Sequence, residues 1–282
     1  MKSHSDWIRV SAKNPCPICE RTDWCTIAPD GTAACCMRMQ SDRPLANGGY
    51  YHWLTDQRPR QPAYRPRPRP RPKPSADLTE TLTVWQSETT TAQLQHLAQA
   101  LGVSQAALRD IGAVRSPESG AWAFPMCDPD GKIVGIRLRA NNGRKWAVKG
   151  SRAGLMYGEE WAKYATVLIC EGPTDTAAAM TLGFGAVGRP SCRGQENMVR
   201  DTIRSYRGDV VIVSDRDSPK KRPDGTLFFP GREGAEQLAK SLKRPIRIIL
   251  PPCKDIRAWL RTGATAIGVQ ALIGAARWRN LH

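Results

Sequence analysis

Residues 166–175 read TVLICEGPTD, and residues 209–217 read DVVIVSDRD. Each is a short, nearly continuous apolar run that ends on acids, Glu171 and Asp175 in the first, Asp215 and Asp217 in the second. A strand this apolar is buried on both faces, as in a parallel sheet covered by helices. The flanking segments keep the rhythm: TVLIC, TDTAAAMTLGF, AVG, ENMVRDTIRSY, DVVIVS, REGAEQLAKSL, IRIIL and DIRAWLRTG alternate strand and helix patterns. That alternation predicts an α/β fold, a parallel sheet flanked by helices. Such sheets bind ligands off the carboxyl ends of their strands, where Glu171, Asp215 and Asp217 fall.

Residues two apart on an extended chain point the same way, so Asp215 and Asp217 present two carboxylates with backbones about 7 Å apart. Hard oxygen ligands at that spacing suit Mg²⁺ or Mn²⁺. Asp175 lies one helical turn beyond Glu171, and Asp255 follows the strand IRIIL, so five acids are expected to converge. An EG or a DxD alone is an ordinary turn or helix cap. Their joint placement on successive strand ends, in a chain of formal net charge +16, calls for a functional reason.

Upstream, residues 121–157 switch to short strands, AWAFPM and KIVGIRLR, joined by the turn DPDG at Asp128–Gly131. The second strand alternates Ile136 and Leu138 with Arg137 and Arg139, and Arg144, Lys145, Lys149 and Arg152 follow soon after. This density of cations reads either as a solvated face or as a surface for nucleotide phosphates. Residues 91–113 carry Leu94, Leu97, Leu101, Leu108 and Ile111 at helical spacing, broken at Gly102 and restarted by Ser104 as an N-cap. The segment has the look of a helix-turn-helix, although two short packed helices give the same pattern.

Residues 57–74, QRPRQPAYRPRPRPRPKP, alternate proline with arginine. They favour extended polyproline II and reach roughly 55 Å at about 3.1 Å per residue. Seven Lys or Arg and no acid make this either a solvated, self-repelling tether or a tether that also tracks a phosphate backbone.

Nearer the amino terminus, five of the nine cysteines, Cys16, Cys19, Cys25, Cys35 and Cys36, lie within 21 residues. That clustering favours a metal site in a reducing compartment over disulfides. Cys16-x2-Cys19 is a strong zinc half-site, and Cys25 with Cys36 is the expected second half. Cys35 and His52 remain alternatives, since adjacent cysteines are poorly placed to ligate one ion. Trp7, Trp24, Tyr50 and Trp53 serve either as the core of this module or as base-stacking platforms.

A length of 282 residues accommodates one or two domains and a small module, and a pI near 9.8 points to a polyanionic partner. No stretch approaches the roughly 18 apolar residues of a membrane span, and Met1–Val10 lacks a signal-peptide core, so a soluble cytoplasmic protein is expected. No GxxxxGK[ST] loop occurs, so no Walker-type helicase motor is expected.

The run CEGPTD, then VSDRD, GREGAEQLAKSL and LPPCKDIRAWL, resembles the TOPRIM domain of bacterial and phage DnaG-type primases. FPMCDPDGKIVGIRLRANNGRKWAVKGSRAGLMYG is similar to the basic subdomain that precedes it in that family. The resemblance implies an amino-terminal zinc-binding template reader at 1–56, a basic linker at 57–76, a small α+β basic subdomain at 77–158 and a TOPRIM catalytic domain at 159–282. It implies metal binding by Asp215 and Asp217, acid–base chemistry or metal binding by Glu171, and further metal-site acids in Asp175 and Asp255. It also implies nucleotide or template contacts at Arg139 and Lys145, within the group Arg137, Arg139, Lys145, Lys149 and Arg152.

The implied activity is synthesis of short RNA primers on single-stranded DNA from ribonucleoside triphosphates, with structural zinc, catalytic Mg²⁺ or Mn²⁺ and a separate replicative helicase as partner. One departure from the family is Ser218–Pro230, SPKKRPDGTLFFP, which is longer than the corresponding loop in many cellular primases. The rival readings are a TOPRIM nuclease using the same acids and a non-catalytic DNA-binding protein using the zinc module and the helix pair.

Overall fold

The computed structural model describes residues 7–55, 78–222 and 224–279. The proline–arginine tether expected at 57–76 lies outside the described residues. The chain divides into two compact units, Met1–Asp77 and Leu78–His282.

In the first unit, β1 (Ile8–Arg9), β2 (Thr26–Ile27), β3 (Ala33–Cys36) and β4 (Tyr50–Trp53) form an antiparallel sheet in that order. Its core holds eight buried residues, Val10, Ile27, Met37 and the five clustered cysteines. With so little aliphatic mass, the sheet has few means of its own to stay folded.

The second unit begins with α1 (Leu78–Glu88), α2 (Thr91–Leu101) and α3 (Gln105–Asp110). Thr90 and Gln93 close a capping box at the start of α2, and Gly102, at φ 71°, ends it in the left-handed conformation that glycine tolerates. Ser104 then caps α3 by accepting the Ala107 N–H. The Ser104 N–H bonds the Thr181 hydroxyl, and Ala107 and Leu108 are buried. This six-residue helix therefore spends its apolar face on packing.

A four-stranded antiparallel sheet follows: β5 (Val114–Arg115), β6 (Trp122–Cys127), β7 (Ile133–Arg139) and β8 (Lys145–Ala147). The β6–β7 turn closes through the Asp128 carboxylate, which accepts the Asp130 and Lys132 N–H groups. Ile136 and Leu138 pack on Leu78, Leu82 and Trp85 of α1. Arg137 points away from Ile136 and Leu138, yet it is only 5% exposed, so the other face of β7 is covered as well.

The remaining elements are β9 (Thr166–Glu171), α4 (Gly172–Thr181), β10 (Gly185–Arg189), α5 (Glu196–Thr202), β11 (Asp209–Val213), β12 (Lys220–Lys221), β13 (Leu227–Phe228), α6 (Pro230–Leu242), β14 (Ile246–Ile249), α7 (Ile256–Arg261), α8 (Ala266–Ala275) and β15 (Trp278–Arg279). The main sheet has the order β10-β9-β11-β14-β15, parallel except for β15 at the edge. Val167, Ile169, Val210 and Ile212 pack with Val199 of α5, with Ile203 at its C-cap, and with Leu238 and Leu242 of α6. Helix α4 packs on α7 instead. The chain runs from β9 to β10 on one side and then to β11 on the other, so strand order reverses between β9 and β11. Open α/β sheets place their ligand crevice at such a switch point.

Candidate functional site

The acids gather at that switch point. Glu171 ends β9, where Gly172 at φ 79° turns the chain into α4, and Asp175 sits in the first turn of that helix. Asp215 and Asp217 follow β11, and Asp255 caps α7 by accepting the Ala258 N–H at 2.6 Å. The Asp217 carboxylate accepts the Gly231 N–H at 3.0 Å, which ties the DxD turn to the start of α6. A β-carbon at Gly231 would lie 2.7 Å from the Asp215 carbonyl oxygen, so only glycine lets α6 approach this closely.

These carboxylates influence one another. Asp215 is pushed up to about 9, first by burial and then by Glu171, Asp175, Asp217 and Asp255. Burial and Asp255 raise Asp175 to about 7, against the opposing pull of Arg257. The Arg257 N–H also reaches the Asp175 carboxylate, at 3.3 Å. Among the described residues, only a cysteine quartet brings three or more metal-ligating atoms within 4.8 Å of one another. The carboxylates therefore share one negative basin without closing on a single point.

The basic subdomain faces this basin. Arg139, half-buried, is lowered first by burial and then by Arg257, while Asp175 and Asp255 oppose the shift. Lys145, at the start of β8, is exposed. Its ammonium is lowered first by loss of surrounding water, then by Arg139 and Arg137, with Glu171 and Asp175 pulling the other way. Lys149 and Arg152 are exposed beyond the end of β8. Residue-type reasoning did not single out Arg257, whose signal was its place two residues after Asp255.

In the first unit the Cys16, Cys19, Cys25 and Cys36 sulfurs lie within 4.8 Å of one another, with Cys19 to Cys25 at 3.7 Å and Cys25 to Cys36 at 4.0 Å. A tetrahedron of about 2.3 Å Zn–S bonds has edges of about 3.8 Å, so the quartet fits zinc. The Met37 N–H points at Cys25, and the Arg38 and Met39 N–H groups point at Cys36. Buried Arg38 reaches the Cys19 and Cys25 sulfurs and the Asp23 carboxylate. The Cys19 thiol is held well below its ordinary range, chiefly by the hydrogen bond from Cys16, then by Cys25, Cys36 and Arg38. Cys35, on the opposite side of β3, receives the Asn47 amide. His52 meets the Met39 carbonyl at 3.0 Å. Tyr51 contacts both Trp7 and Trp53, at ring separations of 5.8 and 5.0 Å, and the three are half-buried.

The open α/β sheet thus carries acids at its switch point, with cations facing them. Solved structures with this fold include a DnaG primase catalytic domain bound to ssDNA, with TM-score 0.54 and 14% identity over 71% of this chain and 77% of that one. The zinc-binding and RNA polymerase domains of the Aquifex aeolicus primase align with TM-score 0.55 and 12% identity over 72% of this chain and 60% of that one. The E. coli primase catalytic core aligns with TM-score 0.52 and 14% identity over 70% of this chain and 78% of that one. The chain therefore has the fold of DnaG-type primase cores. No protein-family model and no curated protein sequence matches it. Among the described residues, no helix is long and apolar enough to cross a membrane.

Proposed function

We propose that this chain is a DNA primase that joins ribonucleotides on a single-stranded DNA template. The observation that carries this reading is the negative basin at the β9–β11 switch point, faced by Arg139 and Lys145, in a fold shared with primase cores. Asp215 and Asp217 would hold divalent metal, with Glu171 as a third ligand or a proton carrier and Asp175 and Asp255 behind them. The donor set fits, because neighbouring carboxylates raise the proton affinity of Asp175 and Asp215, and such a cluster gains by sharing a divalent cation. When bound, Mg²⁺ or Mn²⁺ supplies charge neutralisation and a lowered hydroxyl pKa.

The protein's own groups do the positioning. Arg139 and Lys145 would orient triphosphate oxygens opposite the acids, and Arg137 would set the local potential from its buried place behind them. The zinc module would select the template, with the Trp7–Tyr51–Trp53 cluster as a stacking surface. Unwinding would fall to a separate helicase, and the setting would be the cytoplasm.

The direct test is ribonucleotide incorporation on unprimed single-stranded DNA of mixed sequence with Mg²⁺ or Mn²⁺. Short RNA products are expected. Absence of product together with metal-dependent cleavage of the template would replace this reading with a nuclease.

A second expectation concerns pH. Protons and metal compete for Asp175 and Asp215, which lie at about 7 and about 9 without metal. The thermal shift produced by Mg²⁺ should therefore grow from pH 6 to pH 9. A shift that stays constant or shrinks over that window would remove these two carboxyls from the metal site.

A further inference from the structure

Between Asp217 and Gly231 the chain rises as a hairpin, β12 and β13, with Lys220 opposite Phe228 and Lys221 opposite Leu227. Both ends are anchored at the acids, because Asp217 leads into it and the Gly231 N–H returns to the Asp217 carboxylate. The hairpin is pinned to the domain body. Phe228 is only 3% exposed and lies beneath the Arg222 and Arg193 guanidinium groups at 4.9 and 5.5 Å, and both arginines pair with Glu233. Arg222 thus has a carboxylate partner, shared with Arg193, whereas Lys220 and Lys221 are exposed and have none among the described residues.

We infer that this hairpin is a phosphate-backbone grip for the RNA–DNA hybrid leaving the acid basin, an inference that rests on the primase reading. In templated joining, the strand whose end lies at the acids is paired with its template, so the polyanion beside Asp217 is a duplex. A basin of carboxylates repels that duplex. Unpaired cations rising from the rim of the basin offset the repulsion without entering the site, and a pinned ribbon holds them in place at little entropic cost.

The test uses the full chain carrying Lys220→Gln and Lys221→Gln together. Binding of a fluorescent RNA-primed DNA oligonucleotide is followed against salt. Two lost phosphate contacts should flatten the log–log salt slope by about 1.8, so between about 50 and about 200 mM salt the variant loses roughly tenfold less affinity than the parent. The Lys240→Gln, Lys243→Gln control, with charges removed at the far end of α6, should keep the parent slope.

An unchanged slope in the hairpin variant, or an equal change in the control, would overturn the proposal. So would an equal loss on unpaired DNA, since the grip is assigned to the hybrid. A flattened slope in a protein that makes no primers would uphold the grip and remove the primase reading, so the two fail separately.

Discussion

Asp215→Asn and Asp217→Asn should each lower primer synthesis by about two to four orders of magnitude, the several kcal/mol that a bound divalent ion contributes to phosphoryl transfer. Each change keeps nearly the same volume and removes a carboxylate proposed to hold metal. Affinity for single-stranded template should survive, and it rises if the basin repels phosphates before metal arrives.

The Asp215 variant carries a further signature. Asp215 is pushed up to about 9 by burial and by four neighbouring acids, so its folded pKa stands above the unfolded value of about 4. The folded state then binds the proton more tightly, and its stability falls as pH rises from about 4 towards 9. Without metal, Asp215→Asn should therefore raise Tm, and raise it more at pH 8 than at pH 5, by about 2–4 °C per kcal/mol relieved. Primer synthesis at the parent rate in both variants would show that these acids hold no metal. An unchanged Tm in metal-free buffer would show that Asp215 is not crowded in solution.

The second large effect is expected in the first unit. Five of its eight buried core residues are cysteines, and four of those converge, so without zinc the buried core is Val10, Ile27, Cys35, Met37 and four unligated thiols, with only partly buried side chains packed around them. Structural zinc contributes about 10–16 kcal/mol in comparably small modules. Freshly purified protein should carry about one zinc, and strong chelation should open residues 7–55 to protease while residues 78–279 stay resistant.

The adjacent cysteines give the sharper contrast. Cys36→Ser should reduce zinc below about half an equivalent, whereas Cys35→Ser should keep it, because Cys35 faces Asn47 on the other side of the strand. Retention of full zinc in Cys36→Ser, or its loss in Cys35→Ser, would reassign the fourth ligand. A chelated protein whose first unit resists protease would show that the aliphatic core suffices.

Several features could be read from the chain alone because their causes are local. Apolar runs in TVLIC and DVVIVS require strands buried on both faces, and the acids that end them reach the carboxyl edge of the sheet wherever those strands lie. Gly102 and Ser104 separate two helices through backbone preference and capping, DPDG turns a hairpin, and Cys16 with Cys19 forms a half-site within one tight turn.

Tertiary structure decided what depends on encounters between distant segments. The order β10-β9-β11-β14 places the switch point between Glu171 and the Asp215–Asp217 pair, and the Arg257 N–H meets an Asp175 carboxylate 82 residues earlier in the chain. Alternation states that Cys35 and Cys36, or Arg137 and Ile136, point opposite ways. It does not state which side other segments cover. Packing resolves that choice: it turns Cys36 to the quartet, buries Arg137 behind the basic face, and crowds five acids until Asp215 holds its proton to about 9. Period and propensity belong to neighbours in sequence, whereas burial and electrostatic coupling belong to neighbours in space.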